Sequence, residues 1–244
     1  MGIEILSEWE IVYGTSTLLI VIFSWIIGIK IILKYFQYDQ KNLISVGVTW
    51  ILLTSIWWKG AIIFLSILFE INIEPFIFLA LGNMIMAIGL LVWIHSFTTL
   101  VYKKFHDKIL LIYSVIVAVY LGFFIIFLFI DTSLIGEYTG TFSTQTSIFV
   151  KVFQLFAMVS FLITGILFVK TSMESESDEI KWKGRFLLLA FFIFSIASFL
   201  EVFRIDDISI LTLIFTKLLF LISSVSYYFG FFLPKWLKDM LVKA

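Results

Sequence analysis

Residues 109–130, ILLIYSVIVAVYLGFFIIFLFI, indicate the fold class of this chain. The stretch holds 22 residues and not one charged side chain. A helix needs about 20 mostly apolar residues to cross the hydrocarbon core of a bilayer. We therefore expect this segment to be a transmembrane helix.

Six more stretches of the same kind lie on either side of it, separated by charged or turn-rich segments: 11–35, 43–69, 76–101, 148–169, 186–203 and 208–233. The apolar fraction of 61% exceeds the roughly 45–50% that is typical of soluble domains. The mean hydropathy is +1.11. The sequence thus predicts an all-α membrane protein, a single domain over residues 1–244 formed by a bundle of seven transmembrane helices. Because the chain has two prolines, we expect its helices to be mostly unkinked.

The basic residues predict the direction of the spans. Thirteen of the 17 fall on one side: Lys30, Lys34, Lys41, Lys103, Lys104, Lys108, Lys170, Lys181, Lys183, Arg185, Lys235, Lys238 and Lys243. The positive-inside rule makes that side cytoplasmic. We expect a multi-pass protein of the cell membrane with its amino terminus outside and its carboxyl terminus in the cytoplasm.

Two segments outside the spans also carry a pattern. Residues 131–147, rich in Thr, Ser and Gly, are expected to form a small hairpin over the outer mouth of the bundle. Residues 234–244 predict a short interfacial helix, with Trp236, Leu237 and Met240 on its apolar face. The alternative for the latter is a tail ordered by Trp236 alone.

Five long polar side chains lie at related depths within the predicted spans: Lys59, Asn83, Gln154, Glu201 and Lys217. An ionisable group within the bilayer costs about 2.5–3.5 kcal/mol on insertion scales, so such groups usually face the bundle interior. A rise of about 1.5 Å per residue places the five at similar depths in the outer half of the bilayer, with Lys59 closest to the midplane and Glu201 closest to the surface.

Helical spacing indicates that these groups point inward. On three spans they belong to polar stripes that follow one helix face: Ser55, Lys59 and Ser66; Ser195, Ser198 and Glu201; Lys217, Ser224 and Tyr228. One interpretation is a polar ligand pocket whose two lysines and one carboxylate give it a net positive charge, which favours an anionic or carbonyl-bearing small ligand. The other is a buried Glu201–Lys217 salt bridge, with Lys59 capped by backbone carbonyls and no ligand.

Several functional classes find no support in the sequence. The absence of cysteine excludes disulfides, thiol catalysis and Cys-ligated metals. No metal-ligand spacing, phosphate-binding loop or nucleophile elbow occurs, so neither a metal site nor an enzyme is expected. No basic tract indicates nucleic-acid binding.

The histidines and the tryptophans of span two are expected to be structural. We expect His95 to be packed or interfacial and His106 to be solvated. At least two of Trp50, Trp57 and Trp58 should pack in the core rather than line a pocket.

Residues 179–188, EIKWKGRFLL, and 230–236, GFFLPKW, resemble the seven-helix sensor regions that precede histidine kinases in prokaryotes. The chain is also similar in topology and length to archaeal seven-span proteins of unknown role. The resemblance implies a receptor-like or sensor-like function in signal transduction. Sensor kinases carry an output domain after the last span, and here Ala244 follows soon after it, so we expect the signal to pass to a separate cytoplasmic partner. The charged segment 170–185 is the expected docking surface.

Two other functions remain open at this level. A transporter or channel for a small solute or ion also fits seven spans, although the spans lack interior prolines and show no clear repeat. A retinal-binding protein would use Lys217 on span seven for its Schiff base. Microbial rhodopsins, however, have a carboxylate on span three and an Asp four positions before the lysine, where this chain has Asn83 and Leu213.

Overall fold

The computed structural model describes residues 3–203 and 210–242. Within these residues, seven helices are long and apolar enough to cross a membrane, which confirms the predicted helical bundle. The α-helices are α1 Glu8–Leu33, α2 Tyr35–Tyr38, α3 Asn42–Leu53, α4 Trp58–Leu68, α5 Pro75–Leu100, α6 His106–Ile130, α7 Ile148–Met173, α8 Asp178–Val202, α9 Ile210–Phe231 and α10 Lys235–Leu241. Short 3₁₀ turns cover Ile3–Ile5, Thr54–Trp57, Lys103–Phe105 and Thr132–Leu134.

The second span contains a short 3₁₀ segment near its middle. A 3₁₀ turn over Thr54–Trp57 separates α3 from α4 without any proline. The Thr54 hydroxyl donates to the Ile51 carbonyl at 2.8 Å, and the Ser55 hydroxyl donates to the Gly82 carbonyl of α5 at 3.0 Å. Hydroxyls that bond backbone carbonyls bend helices, so the polar pair at 54 and 55 accounts for this local change of helix geometry.

Small residues allow α1 and α3 to pack closely. A Cβ added to Gly47 would lie 2.5 Å from the carbonyl oxygen of Gly28, and one added to Gly28 would lie 2.8 Å from that of Gly47. Membrane helices associate through such close approach of their backbones, because lipid provides no hydrophobic drive. This contact holds the first two spans together.

Aromatic side chains fill the bundle centre. Trp50 stacks on Tyr227 of α9 with 4.1 Å between ring centroids, and Trp57 packs against Phe220 at 4.2 Å. Both tryptophans are fully buried, which confirms core packing for two of the three in this span. Trp58 instead packs against Trp25 of α1 at 5.3 Å.

A two-stranded hairpin joins α6 to α7 and confirms the predicted one. Strand β1 Gly136–Tyr138 pairs antiparallel with β2 Thr144–Thr146, with Glu137 opposite Gln145. At its base, Ser133 donates to the Asp131 carboxylate through its backbone amide at 2.9 Å and through its hydroxyl, which lowers the pKa of that group. We call this end of the bundle the hairpin end.

At the opposite end, α10 docks on the first turns of α8. The helix α8 begins at Asp178, where acidic residues at 178 and 179 favour a helix N-terminus, so it extends well beyond the apolar span that starts at 186. Trp182 donates its indole N–H to the Leu241 carbonyl at 3.1 Å. Glu179 contacts Lys183 at 2.7 Å and Lys238 at 2.5 Å, and this carboxylate raises the pKa of Lys238. The C-terminal helix, found over 235–241 rather than 234–244, is thus attached to span six by specific polar contacts.

Candidate functional site: a polar cavity at the hairpin end

A cavity of about 580 Å³ lies between α1, α4, α7, α8 and the hairpin. Most of the described side chains that line it are polar: Tyr13, Lys59, Thr144, Gln145, Thr146, Lys151, Gln154 and Glu201. The remaining described lining residues are Ile56, Gly60, Val202 and Phe203. The volume is within the range of small-molecule pockets, about 300–1,000 Å³.

Three of the five predicted site residues reach the cavity wall, each from a different span. Lys59 comes from α4, Gln154 from α7 and Glu201 from α8. The Lys59 ammonium also donates to the Thr144 hydroxyl on β2. That hydrogen bond connects the second span to the hairpin, so the hairpin forms part of the binding surface.

Asn83 is not among the described residues of the cavity wall, but it contacts Gln154, which is. The Gln154 side-chain amide donates to the Asn83 carbonyl oxygen at 3.0 Å, and the Asn83 amide donates to the Leu79 carbonyl at 2.8 Å. Asn83 is buried, with 7% of its surface exposed. Its place in this chain of hydrogen bonds gives it a positioning role, because it holds the Gln154 side chain in one orientation at the wall.

Lys217 is likewise not among the described residues of the wall, and it contacts the wall residue Glu201. Its Nζ atom lies 3.7 Å from a Glu201 carboxylate oxygen, which confirms the predicted ion pair between spans six and seven. The ammonium also lies 5.0 Å from the centroid of the Tyr13 ring, a cation–π geometry. The Lys217 side chain is 6% exposed, against 17% for Glu201, so the carboxylate is the member of the pair that meets the cavity.

The structure adds residues to the site that the sequence reasoning had not assigned to it. Lys151, in the first turn of α7, lines the cavity. Its spacing of three from Gln154 puts both on one helix face, and that signal was available in the sequence. Tyr13 and the β2 residues carried no comparable signal, because their place depends on how α1 and the hairpin fold over the bundle.

The cavity wall carries an excess of positive charge. Its described residues include two lysines, Lys59 and Lys151, and one carboxylate, Glu201. That carboxylate also lies 3.7 Å from the ammonium of Lys217. Within a low-dielectric bundle such an arrangement attracts an anion far more strongly than it would in water. The hydroxyl and amide groups of Thr144, Thr146 and Gln154 add donors that can orient a ligand.

The two histidines lie at the opposite end of the bundle and are separate from this site. His106 Nδ1 is 2.7 Å from the Thr98 hydroxyl, and its ring packs edge-on against that of His95, with centroids 5.1 Å apart. The expectation that His106 is solvated is therefore wrong. The reason is local, since the 3₁₀ turn Lys103–Phe105 brings the start of α6 back against the end of α5.

Comparisons with known protein families, with curated proteins and with solved structures find no match to this chain.

Proposed function

We propose that this protein is a receptor-like membrane protein that binds a small anionic ligand in the cavity at the hairpin end. The observation that carries the proposal is the cavity itself. It has the size of a ligand site, and Lys59 and Lys151 approach it from two helices while Gln154 and the hairpin supply neutral donors. Each of these two ammonium groups can donate a charge-assisted hydrogen bond to an anionic group in the cavity.

The proposal includes an orientation. The excess of Lys and Arg at the end opposite the hairpin supports a cytoplasmic location for that end. The amino terminus and the hairpin then face outward, and the ligand enters from outside the cell. Exposed apolar side chains on α10, Trp236 and Met240, support contact of this helix with the inner leaflet.

The cytoplasmic end would then contact the signalling partner. Glu174, Glu176 and Asp178 are exposed just before and at the start of α8, within segment 170–185. Glu179 is paired with Lys183 and Lys238, and Asp178 lies 3.6 Å from Lys181. Glu174 and Glu176 are therefore the acidic residues that we propose for contact with a basic surface on a partner.

Binding of defined anions to the purified protein tests the proposal. Butanoate and inorganic phosphate are titrated by calorimetry in neutral detergent, with butylammonium as the cation of matched size. Replacing Lys59 or Lys151 by Gln should weaken anion binding about 10- to 100-fold, because a hydrogen bond to a charged group is worth about 1.5–3 kcal/mol. Lys170→Gln is the matched control, since Lys170 is exposed at the other end of α7.

Two results would contradict the proposal. One is that the protein does not distinguish the anions from butylammonium. The other is that Lys170→Gln weakens binding as much as the cavity variants do.

A transporter for the same ligand is the second candidate, and one observation favours it. The 3₁₀ turn Thr54–Trp57 interrupts a span beside the cavity, with Ile56 in the wall, and transporter sites are often built at discontinuous helices. Uptake of labelled butanoate into proteoliposomes separates the two functions. Binding without uptake supports the receptor, and uptake that disappears in Lys59→Gln supports the transporter.

A further inference from the structure

A second, smaller chamber lies beside the polar cavity. It has a volume of about 30 Å³ and shares three wall residues with the cavity: Ile56, Gln154 and Val202. The two spaces are therefore adjacent, and Gln154 stands at their boundary.

The chamber differs in chemistry from the cavity. Its wall is mostly apolar and includes Leu53, Ala157, Phe161 and Phe194, all buried. Met86 and Met158 also line it, and methionine side chains adapt easily to the shape of an apolar guest. Such a space attracts hydrocarbon and offers little to an ion.

One polar atom in this wall is unusual. The Ser198 hydroxyl is buried and has no hydrogen-bond partner among residues 3–203 and 210–242. Most buried hydroxyls on helices bond a carbonyl of the preceding turn, as Ser195 does with Phe191 at 2.8 Å. A hydrocarbon offers this hydroxyl no hydrogen bond, so an apolar guest would pack against the other side chains of the chamber wall.

We infer that the ligand is a small amphipathic anion whose charged head binds in the polar cavity and whose short apolar tail passes Gln154 into the chamber. This inference rests on the proposed function, because it assumes that an anion occupies the cavity, and it specifies that ligand's class. The head belongs with Lys59 and Lys151. The chamber volume admits only a short tail, so extended lipid chains do not fit.

Chain length is the variable that tests the inference. Acetate, butanoate, hexanoate and octanoate are titrated into the purified protein in neutral detergent, and hexanol controls for partition into the micelle. Each methylene that enters the chamber should raise affinity about fourfold, which corresponds to about 0.8 kcal/mol per buried CH₂. The gain should stop after about one or two methylenes, because a chamber of about 30 Å³ holds no more, so most of it should appear between acetate and butanoate.

A variant that fills the chamber provides the second measurement. Ala157→Val adds two methyl groups at the wall, so it should shorten the preferred chain while leaving acetate binding unchanged. Ala118→Val is the matched control, since Ala118 is exposed on α6. If the thermal transition shows that Ala157→Val does not fold, Ser198→Val serves the same purpose from α8.

The outcomes distinguish this inference from the proposed function. If acetate and hexanoate bind equally well and binding still needs Lys59, the anion site stands and the tail chamber is wrong. If Ala157→Val and Ala118→Val show the same dependence on chain length, the tail lies elsewhere and the inference is also wrong. If no carboxylate binds to the wild-type protein, both proposals fail.

Discussion

Removal of either member of the Glu201–Lys217 pair should destabilise the bundle by unequal amounts. The two charges are 3.7 Å apart, which corresponds to an attraction of about 4–5 kcal/mol at an effective dielectric constant of about 20, before desolvation is subtracted. Glu201→Gln leaves the ammonium of Lys217 with 6% of its side chain exposed, and we expect a loss of about 3–5 kcal/mol. Lys217→Met leaves a carboxylate that meets the cavity, so its loss should be smaller, about 1–3 kcal/mol.

The double variant decides whether the two groups act as partners. Glu201→Gln with Lys217→Met removes both charges, and the total loss should then fall below the sum of the single losses by about 2–3 kcal/mol. The free energy of unfolding is measured by titrating sodium dodecyl sulfate into mixed micelles. Lys170→Met, which replaces an exposed lysine, is the control and should change stability by less than about 0.5 kcal/mol. Simple additivity of the two losses would refute the reasoning.

Two other predictions concern packing and topology. Gly47→Ala should lower the free energy of unfolding by about 1–3 kcal/mol, because its Cβ would lie 2.5 Å from the Gly28 carbonyl oxygen. Gly122→Ala is the control and should leave stability unchanged, since its Cβ would meet nothing within 4 Å. Equal effects of the two variants in chemical denaturation would show that the close helix contact is unimportant. Gly140→Cys, in the exposed turn of the hairpin, should react with an impermeant maleimide on intact cells, and Glu176→Cys should react only after lysis; the reverse pattern would invert the proposed orientation.

The spans were predictable because their signal is local. A membrane helix requires only a sufficiently long apolar run, whatever its neighbours are, so composition alone located all seven. The start of α8 near Asp178 was also predictable, because acidic residues at 178 and 179 favour a helix N-terminus. The 3₁₀ segment at Thr54–Trp57 was not predicted, for the opposite reason. It depends on a hydrogen bond from Ser55 to Gly82 on another helix.

The candidate site was only partly predictable. Depth along each span indicated that Lys59, Gln154 and Glu201 share a layer, and the polar stripes indicated the inward direction of Lys59 and Glu201. Depth cannot show which of two neighbouring polar groups meets the open space, because that depends on the rotation and tilt of each helix. Asn83 and Lys217 therefore lie behind Gln154 and Glu201 rather than beside them.

The sequence by itself determined that this chain has seven apolar spans and a layer of polar groups within them, since hydrophobic burial in lipid and the cost of buried charge depend on residue type and position. Only the tertiary structure decided that Tyr13 and the hairpin complete the cavity and that an apolar chamber lies beside it. Those features arise where separate segments meet. Their geometry is set by the packing of all the helices together and by no single stretch of the chain.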